Sequence, residues 1–555
     1  MRSAPTPRRA TALLVFAALA PAATPAAAQR APVPVSADSL RAHLFAIADD
    51  SMEGRATGTR GDGLAAAWVA AQFAHAGLRP EGDSGSYFQI IPLARLALDT
   101  TTAFEVNGTR LKVGADVLPA VQGFSWLPDS AATVFGGVAS DSTTWPAAEA
   151  CVGKLVIMAP PPGNDFGATM RSIFLLRRNP RFRRAAGFAL AALEQEPPGT
   201  LRRFVDGVLT SDTLPFRLAR GSVLVTAAGA AALLGAPLAG AESGRLGPVV
   251  RGRLVFRRFP LPYPVRNVVG VLTGSDPALR DTYVALSAHH DHLGLQLPPL
   301  DHDSVRAFDR VMRPMGEDSP RREPTAAEAA RITTIRDSLR AAHPARQDSV
   351  YNGADDDGSG TVALAELARV LAAGPRPRRS ILFVSHAAEE LGLVGSRWYT
   401  DHPTVPRDSI VAEFDMDMVG RGDASDTPKG GPGYLEVVGS RRLSTELGSL
   451  VDTVAAHEPS PFHLNYEYDT PGNPLQYYCR ADHYNYARYG IPSVSLSTGE
   501  HLDYHQVTDE AQYIDYPRLA RVTTLVRDLA LAAANLDHRP AVDGPRQDPR
   551  APCRQ

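Results

Sequence analysis

From about residue 255 onward, short apolar runs alternate with longer stretches of helical period. YVALSA, SILFVSH, IVAEFDM and PSVSLST read as buried strands. GTVALAELARVLAA and the stretch after EELGLVGSRWYTDH read as helices. That alternation predicts an α/β fold in which a mostly parallel, twisted sheet is sandwiched by helices. Upstream, SADSLRAHLFAIADD and GDGLAAAWVAAQFAHAGL carry apolar residues at helical spacing, separated by the glycine-rich loop MEGRATGTRG. The loop lacks the Lys-Ser/Thr ending of a phosphate cradle. Residues 118–250 have a different texture: ATVFGGVA, KLVIMAP and GSVLVTA alternate with Pro/Gly turns and Ala-rich helices, and none carries clustered His or acid. They predict a smaller, inserted, non-catalytic α/β module.

Two segments fall outside this pattern. Residues 296–350 are rich in Arg, Asp and Pro, with TAAEAARITTIRDSLRAA as a charged, exposed helix; a lid or partner surface is one reading, and a solvated excursion is the expectation. The Pro/Arg-rich tail 538–555 predicts disorder. At the other end, Arg2, Arg8 and Arg9 precede ATALLVFAALAPAA, and PAAAQ offers Ala-x-Ala cleavage after Ala28. This apolar core is too short to anchor in a bilayer, and no later stretch is long and apolar enough to span one. The expectation is an exported protein, periplasmic or secreted, with no integral membrane segment after signal removal. The predicted organisation is a signal at 1–28, the first part of the main domain at 29–117, the inserted module at 118–250, the main domain at 251–537 and the tail.

With 555 residues, 44% of them hydrophobic, the chain can bury a sizeable core in two or three domains. A net charge of −3 gives no bias toward nucleic acid or an anionic surface. Cys151, Cys479 and Cys553 are too few and too scattered for a disulfide framework or a thiolate metal site. Any metal would therefore be held by His and carboxylate.

The chemistry begins at YNGADDDGSGTVALAE, where Asp355, Asp356 and Asp357 are consecutive. Like charges this close need a stabilising partner unless solvated. Asp355, Asp357, Ser359, Gly360 and Glu366 satisfy much of a calcium-loop pattern. Against that reading, Pro344 and Asn352-Gly353 interrupt the helix that should enter the loop, no second copy exists, and Glu366 is expected to face solvent. Four further clusters each follow an apolar run: His289, His290, Asp291 and His292; Glu389 and Glu390; Asp415 and Asp417; His501, Asp503 and His505. In an open parallel sheet the carboxyl ends of the strands line one crevice, so these clusters should converge. Imidazole with carboxylate suits zinc, with manganese or cobalt as substitutes. An acidic-loop aspartate could bridge two such ions, so the loop would be offset by metal charge.

AHHDHLG, GADDDGSG, AAEELGLVGS, DMDMVGR and DYHQVTD occur in the order found in the co-catalytic di-zinc aminopeptidases, metallopeptidase family twenty-eight of clan MH. The chain resembles that family over about residues 35–115 and 255–535, and 118–250 resembles the protease-associated (PA) domain that many members insert. The resemblance implies a zinc exopeptidase fold and two Zn2+ ions. It assigns His289 and Asp417 to one ion, Glu390 and His505 to the other, and Asp356 to both, with Asp356–Asp357 a candidate cis peptide. It makes Glu389 the general base, has Asp291 orient the His289 ring, and places Asp357 and Tyr504 beside the ligands. His290, Asp415 and the insertion at 296–350 depart from the family pattern without removing a ligand. The implied activity is an aminopeptidase acting on peptides with a free N-terminus. The alternatives are a carboxypeptidase of the glutamate-carboxypeptidase type and, more remotely, a non-catalytic receptor-like or calcium-binding ectodomain.

Overall fold

The computed structural model describes Met1 and residues 33–120, 130–163, 166–195, 207–211, 221–425, 427–428 and 430–555. Met1 apart, the expected signal at 1–28 and its cleavage point lie outside the described residues. Among those residues, nine strands form the central sheet. They are β1 (Arg79–Pro80), β2 (Phe88–Ile90), β3 (Arg266–Leu272), β4 (Tyr283–His289), β5 (Ser380–His386), β6 (Ile410–Met416), β7 (Tyr434–Val438), β8 (His463–Asn465) and β9 (Ser493–Ser497). Their order is β1-β3-β5-β4-β6-β9-β7-β8, with β2 also on β3. The inner strands β5, β4, β6 and β9 run parallel, and antiparallel strands close them on both sides, β3 on β5 and β7 on β9.

The parallel strands read as unbroken apolar runs because both faces are covered. On one face Val284, Leu286, Ile381, Phe383 and Phe414 pack against α1 (Ala37–Ile47), α2 (Arg60–His75), α3 (Gly360–Ala373) and α4 (Tyr516–Ala534). The alternate residues Ala285, Leu382 and Val384 face Tyr399, Tyr486 and Ile491 on the opposite side. Every inner strand thus ends at the same rim, where its polar cluster begins.

The smaller module is built on an eight-stranded sheet with two apolar cores of its own. It takes in more of the chain than 118–250, because Ala103–Val106 pairs with both Thr109–Leu111 and Leu246–Arg253. A three-stranded sheet of Leu93–Leu98, Val208–Ser211 and Phe256–Pro260 adjoins it in the chain.

Two expectations are corrected. In the 296–350 segment, helix Ala326–Ala342 is unburied, as its charge implied. Helix His302–Met312, however, buries His302, Asp303, Arg306, Ala307, Asp309 and Met312, so the segment is docked rather than a solvated excursion. The tail 538–555 is also held in place, because polar anchors replace the apolar surface it lacks. Cys553 is bonded to Cys479, Arg539 donates to the carbonyls of Asp408 and Ile410, and Tyr478 N–H donates to Gln555 Oε1 at 3.0 Å. No helix among the described residues is long and apolar enough to cross a membrane.

Candidate metal centre

The three consecutive aspartates are tolerated because each points into a different environment. Asp355 Oδ1 accepts from Gly420 N–H at 2.7 Å, and its Oδ2 lies 3.2 Å from His501 Nε2. Asp357 accepts from the backbone N–H groups of His289 (3.1 Å), Gly360 (2.9 Å) and Met418 (3.2 Å). It therefore ties the acidic loop to the ends of β4 and β6. Of the three, Asp356 is the one that projects into the convergence of the strand ends, and its peptide bond to Asp357 is cis. Two buried residues outside the sequence-derived set fix the loop. Arg55 donates to the carbonyls of Asn352 (2.5 Å), Gly353 (2.8 Å), His290 (2.9 Å) and Ile47 (3.1 Å). Asp509 accepts from the N–H groups of Asp355 and Asp356.

Around Asp356 the clusters meet as two overlapping groups. Oδ1 lies 3.3 Å from His289 Nε2, which is itself 3.8 Å from Asp417 Oδ1 and 3.9 Å from Glu389 Oε2. Oδ2 lies 3.0 Å from His505 Nε2, which is 3.2 Å from Glu390 Oε2. One carboxylate thus offers one oxygen to each group. His289, Asp356 and Asp417 present ligand atoms within 4.8 Å of one another, as do His292, Asp356 and Glu390. His292, to which the resemblance assigns no ion, has its Nδ1 2.7 Å from Glu390 Oε1.

The residues fit a pair of divalent ions. Asp356 Oδ2 is buried and, although close to His505 Nε2, makes no hydrogen bond. Side chains this close without hydrogen-bond geometry are arranged to converge on a third body. The donors are imidazole nitrogens and carboxylate oxygens without thiolate, the set that suits zinc. Charge points the same way, since four carboxylates crowd the centre. Burial, reinforced by Glu390, Asp482 and Asp417, pushes the Glu389 carboxyl well up. Burial likewise raises Asp417, helped by Asp356 and Asp415. Burial opposes charge on His289, yet Asp291 and Asp356 raise its pKa well above the imidazole range. Burial and Asp356 oppose charge on Glu390, but the His292 and His505 rings beside it hold its carboxyl at about 2.

The remaining expected residues are placed as follows. Asp291 reaches the His289 ring less directly than expected: Nδ1 is 3.2 Å from the Asp291 carbonyl and 3.7 Å from its carboxylate. That carboxylate instead accepts from Glu389 N–H at 3.0 Å and from Thr57 Oγ1 at 3.0 Å. Tyr504 stacks on the His505 ring with centroids 4.0 Å apart, and Arg480 Nη2 donates to its hydroxyl at 3.1 Å. Glu366, expected in solvent, is fully buried beneath α1, where it accepts from Ser36 N–H (2.8 Å) and Ser39 Oγ (3.2 Å) and pairs with Arg369. It lies in the α1 contact, apart from the two groups around Asp356, and this removes the twelfth position of the calcium pattern. A cavity of about 360 Å3 opens over Asp356, Glu389, Glu390, Asp417 and His505. Its far wall includes Glu436, Val438, Ser495 and Ser497, brought to one face by the pairing of Glu436 with Ser497 and Val438 with Ser495.

A sequence model described as peptidase family M28 matches residues 267–530. The chain is 35% identical over 136 residues to aminopeptidase YwaD of Bacillus subtilis, covering 21% of this chain and 29% of that protein. It is 29% identical over 206 residues to aminopeptidase Y of Saccharomyces cerevisiae, covering 33% and 34%. These alignments thus span about a third of the curated relatives' lengths. The zinc aminopeptidase BSAP from Bacillus subtilis aligns in structure over 92% of this chain and 99% of its own, with a TM-score of 0.46 and 16% identity.

Proposed function

Because residues 267–530 make this chain a member of peptidase family M28, we propose that it is an exported, zinc-dependent aminopeptidase that removes N-terminal residues from peptides. The observation that carries this reading is the division of Asp356 between two ligand groups, with Glu389 at their edge and a cavity above. In this reading His289, Asp417 and Asp356 hold one zinc, and Glu390, His505 and Asp356 hold the other. His292 is near enough to Glu390 to adjust the second set. When bound, the metal pair supplies a water of lowered pKa and polarises the scissile carbonyl.

The protein's own residues do the rest. Glu389 takes the proton of the attacking water and returns it to the departing amine. Asp291, through its bond to Glu389 N–H, fixes where that carboxylate sits. Tyr504, held by Arg480, is positioned to donate to oxygen charge developing on the carbonyl. The module around 118–250 is read as PA-like and not as a source of chemistry.

Glu389→Gln should keep both metals and lose on the order of 10²–10⁴ in turnover, the usual worth of general acid–base catalysis. Aminoacyl-anilide hydrolysis at the parental rate would remove Glu389 from the mechanism. N-blocked dipeptides should resist the enzyme while C-blocked ones are cut; the reverse pattern would favour the carboxypeptidase alternative.

A further inference from the structure

The segment 296–350 makes its polar contacts with the rest of the protein chiefly on one short stretch, the loop 501–510 that carries His505. Arg306 donates to both carboxylate oxygens of Asp503 at 2.9 and 2.8 Å, and both residues are buried. On the other side of His505, His302 Nε2 lies 3.0 Å from Glu510 Oε2, and Arg346 pairs with the same carboxylate. Between these anchors Glu317 N–H donates to the Tyr504 carbonyl at 3.2 Å. Its Oε2 lies 2.8 Å from His505 Nδ1. Asp318 pairs with Arg480 at 2.7 Å, and Arg480 in turn holds the Tyr504 hydroxyl. The approach is close enough to require glycine next to Glu317. Gly316 has φ +51°, and a Cβ there would sit 2.3 Å from the Tyr504 carbonyl oxygen.

His505 is a residue that needs such support. Its φ is +57°, a left-handed conformation that costs a non-glycine residue free energy and persists only where the surroundings over-determine it. Its Nε2 faces the centre, so Nδ1 is left to receive an orienting partner, and among the described residues the carboxylate beside Nδ1 is that of Glu317. A carboxylate on the far nitrogen of a ligating imidazole fixes the tautomer and the ring plane and raises ligand basicity.

We propose that residues 296–350 act as a clamp on the metal-bearing loop and that Glu317 is a positioning residue for His505, tuning the affinity of one metal position. The proposal rests on the reading of His505 as a ligand. The test is zinc binding, measured by competition with a chromophoric chelator on the full chain, for the parent and for Glu317→Ala, Glu317→Gln, Asp318→Ala and His505→Ala. The parent should bind two zinc ions and His505→Ala should lose one, which checks the ligand reading separately. Glu317→Ala should bind two at saturation, with one site weakened on the order of 10- to 100-fold and the other unchanged. Glu317→Gln, which still accepts a hydrogen bond but carries no charge, should fall between. Asp318→Ala loosens the same segment through Arg480 without touching His505 and should weaken that site less than Glu317→Ala does. Parental affinities in Glu317→Ala, or an equal loss in Asp318→Ala, overturn the positioning role while the ligand reading stands. Retention of both ions by His505→Ala overturns both.

Discussion

Asp309 shows what docking a charged segment costs at the level of one side chain. It is almost fully buried on helix His302–Met312, and its Oδ2 has no hydrogen bond. Burial pushes its carboxyl up to about 7; Asp503 adds to that shift, and Arg313 and Arg306 reduce it. Below about pH 4 both folded and unfolded forms hold the proton, so the group is neutral toward stability. Between its ordinary value of 3.8 and about 7, the unfolded chain releases the proton while the folded chain keeps it, so stability falls as pH rises through that window. Asp309→Asn removes the dependence. Denaturant midpoints at pH 4.5 and 7.5 should show the variant gaining on the parent at the higher pH, whereas a pH-independent difference would contradict this assignment. Individual residues stand out as candidates in the sequence where chemistry and position coincide, as with Glu390 and His505 after apolar runs and Asp356 in the acidic loop that precedes one. Arg55 does not, because its partners are backbone carbonyls, which any sequence supplies. Glu366 was misjudged because the serines that bury it lie more than 300 positions away, as in Ser36 at a separation of 330.

At the scale of elements, strands and helices of the central sheet followed from periodicity, since doubly covered parallel strands must be apolar throughout. The docking of connections did not follow, because it depends on pairs such as Arg306 with Asp503 and Cys479 with Cys553 that no local pattern announces. The tail illustrates this. Its composition suits disorder, yet a bond across 74 residues secures it. Closing a loop of that length restricts the unfolded chain by about 4 kcal/mol in the chain-entropy model. Cys479 also lines the cavity with Tyr477 and Arg480. Cys553→Ser should therefore lower the denaturation midpoint and raise KM more than it lowers kcat. An unchanged midpoint would show that the tail adds nothing to stability.

For the whole molecule, the decisive fact is that one sheet gathers residues more than 200 positions apart, His289 and His505 among them, to a single rim. The smaller module has its own sheet and cores, and among the described residues it contributes none of those grouped around Asp356. Carboxylates at this density, with burial raising several of them, make little sense as a solvated surface and good sense around cations. The most direct test is elemental analysis of the purified protein beside Glu390→Ala. The expected result is two zinc ions per parent chain and loss of metal in the variant. A parent that holds no tightly bound divalent metal, or a variant that holds as much as the parent, would contradict the account.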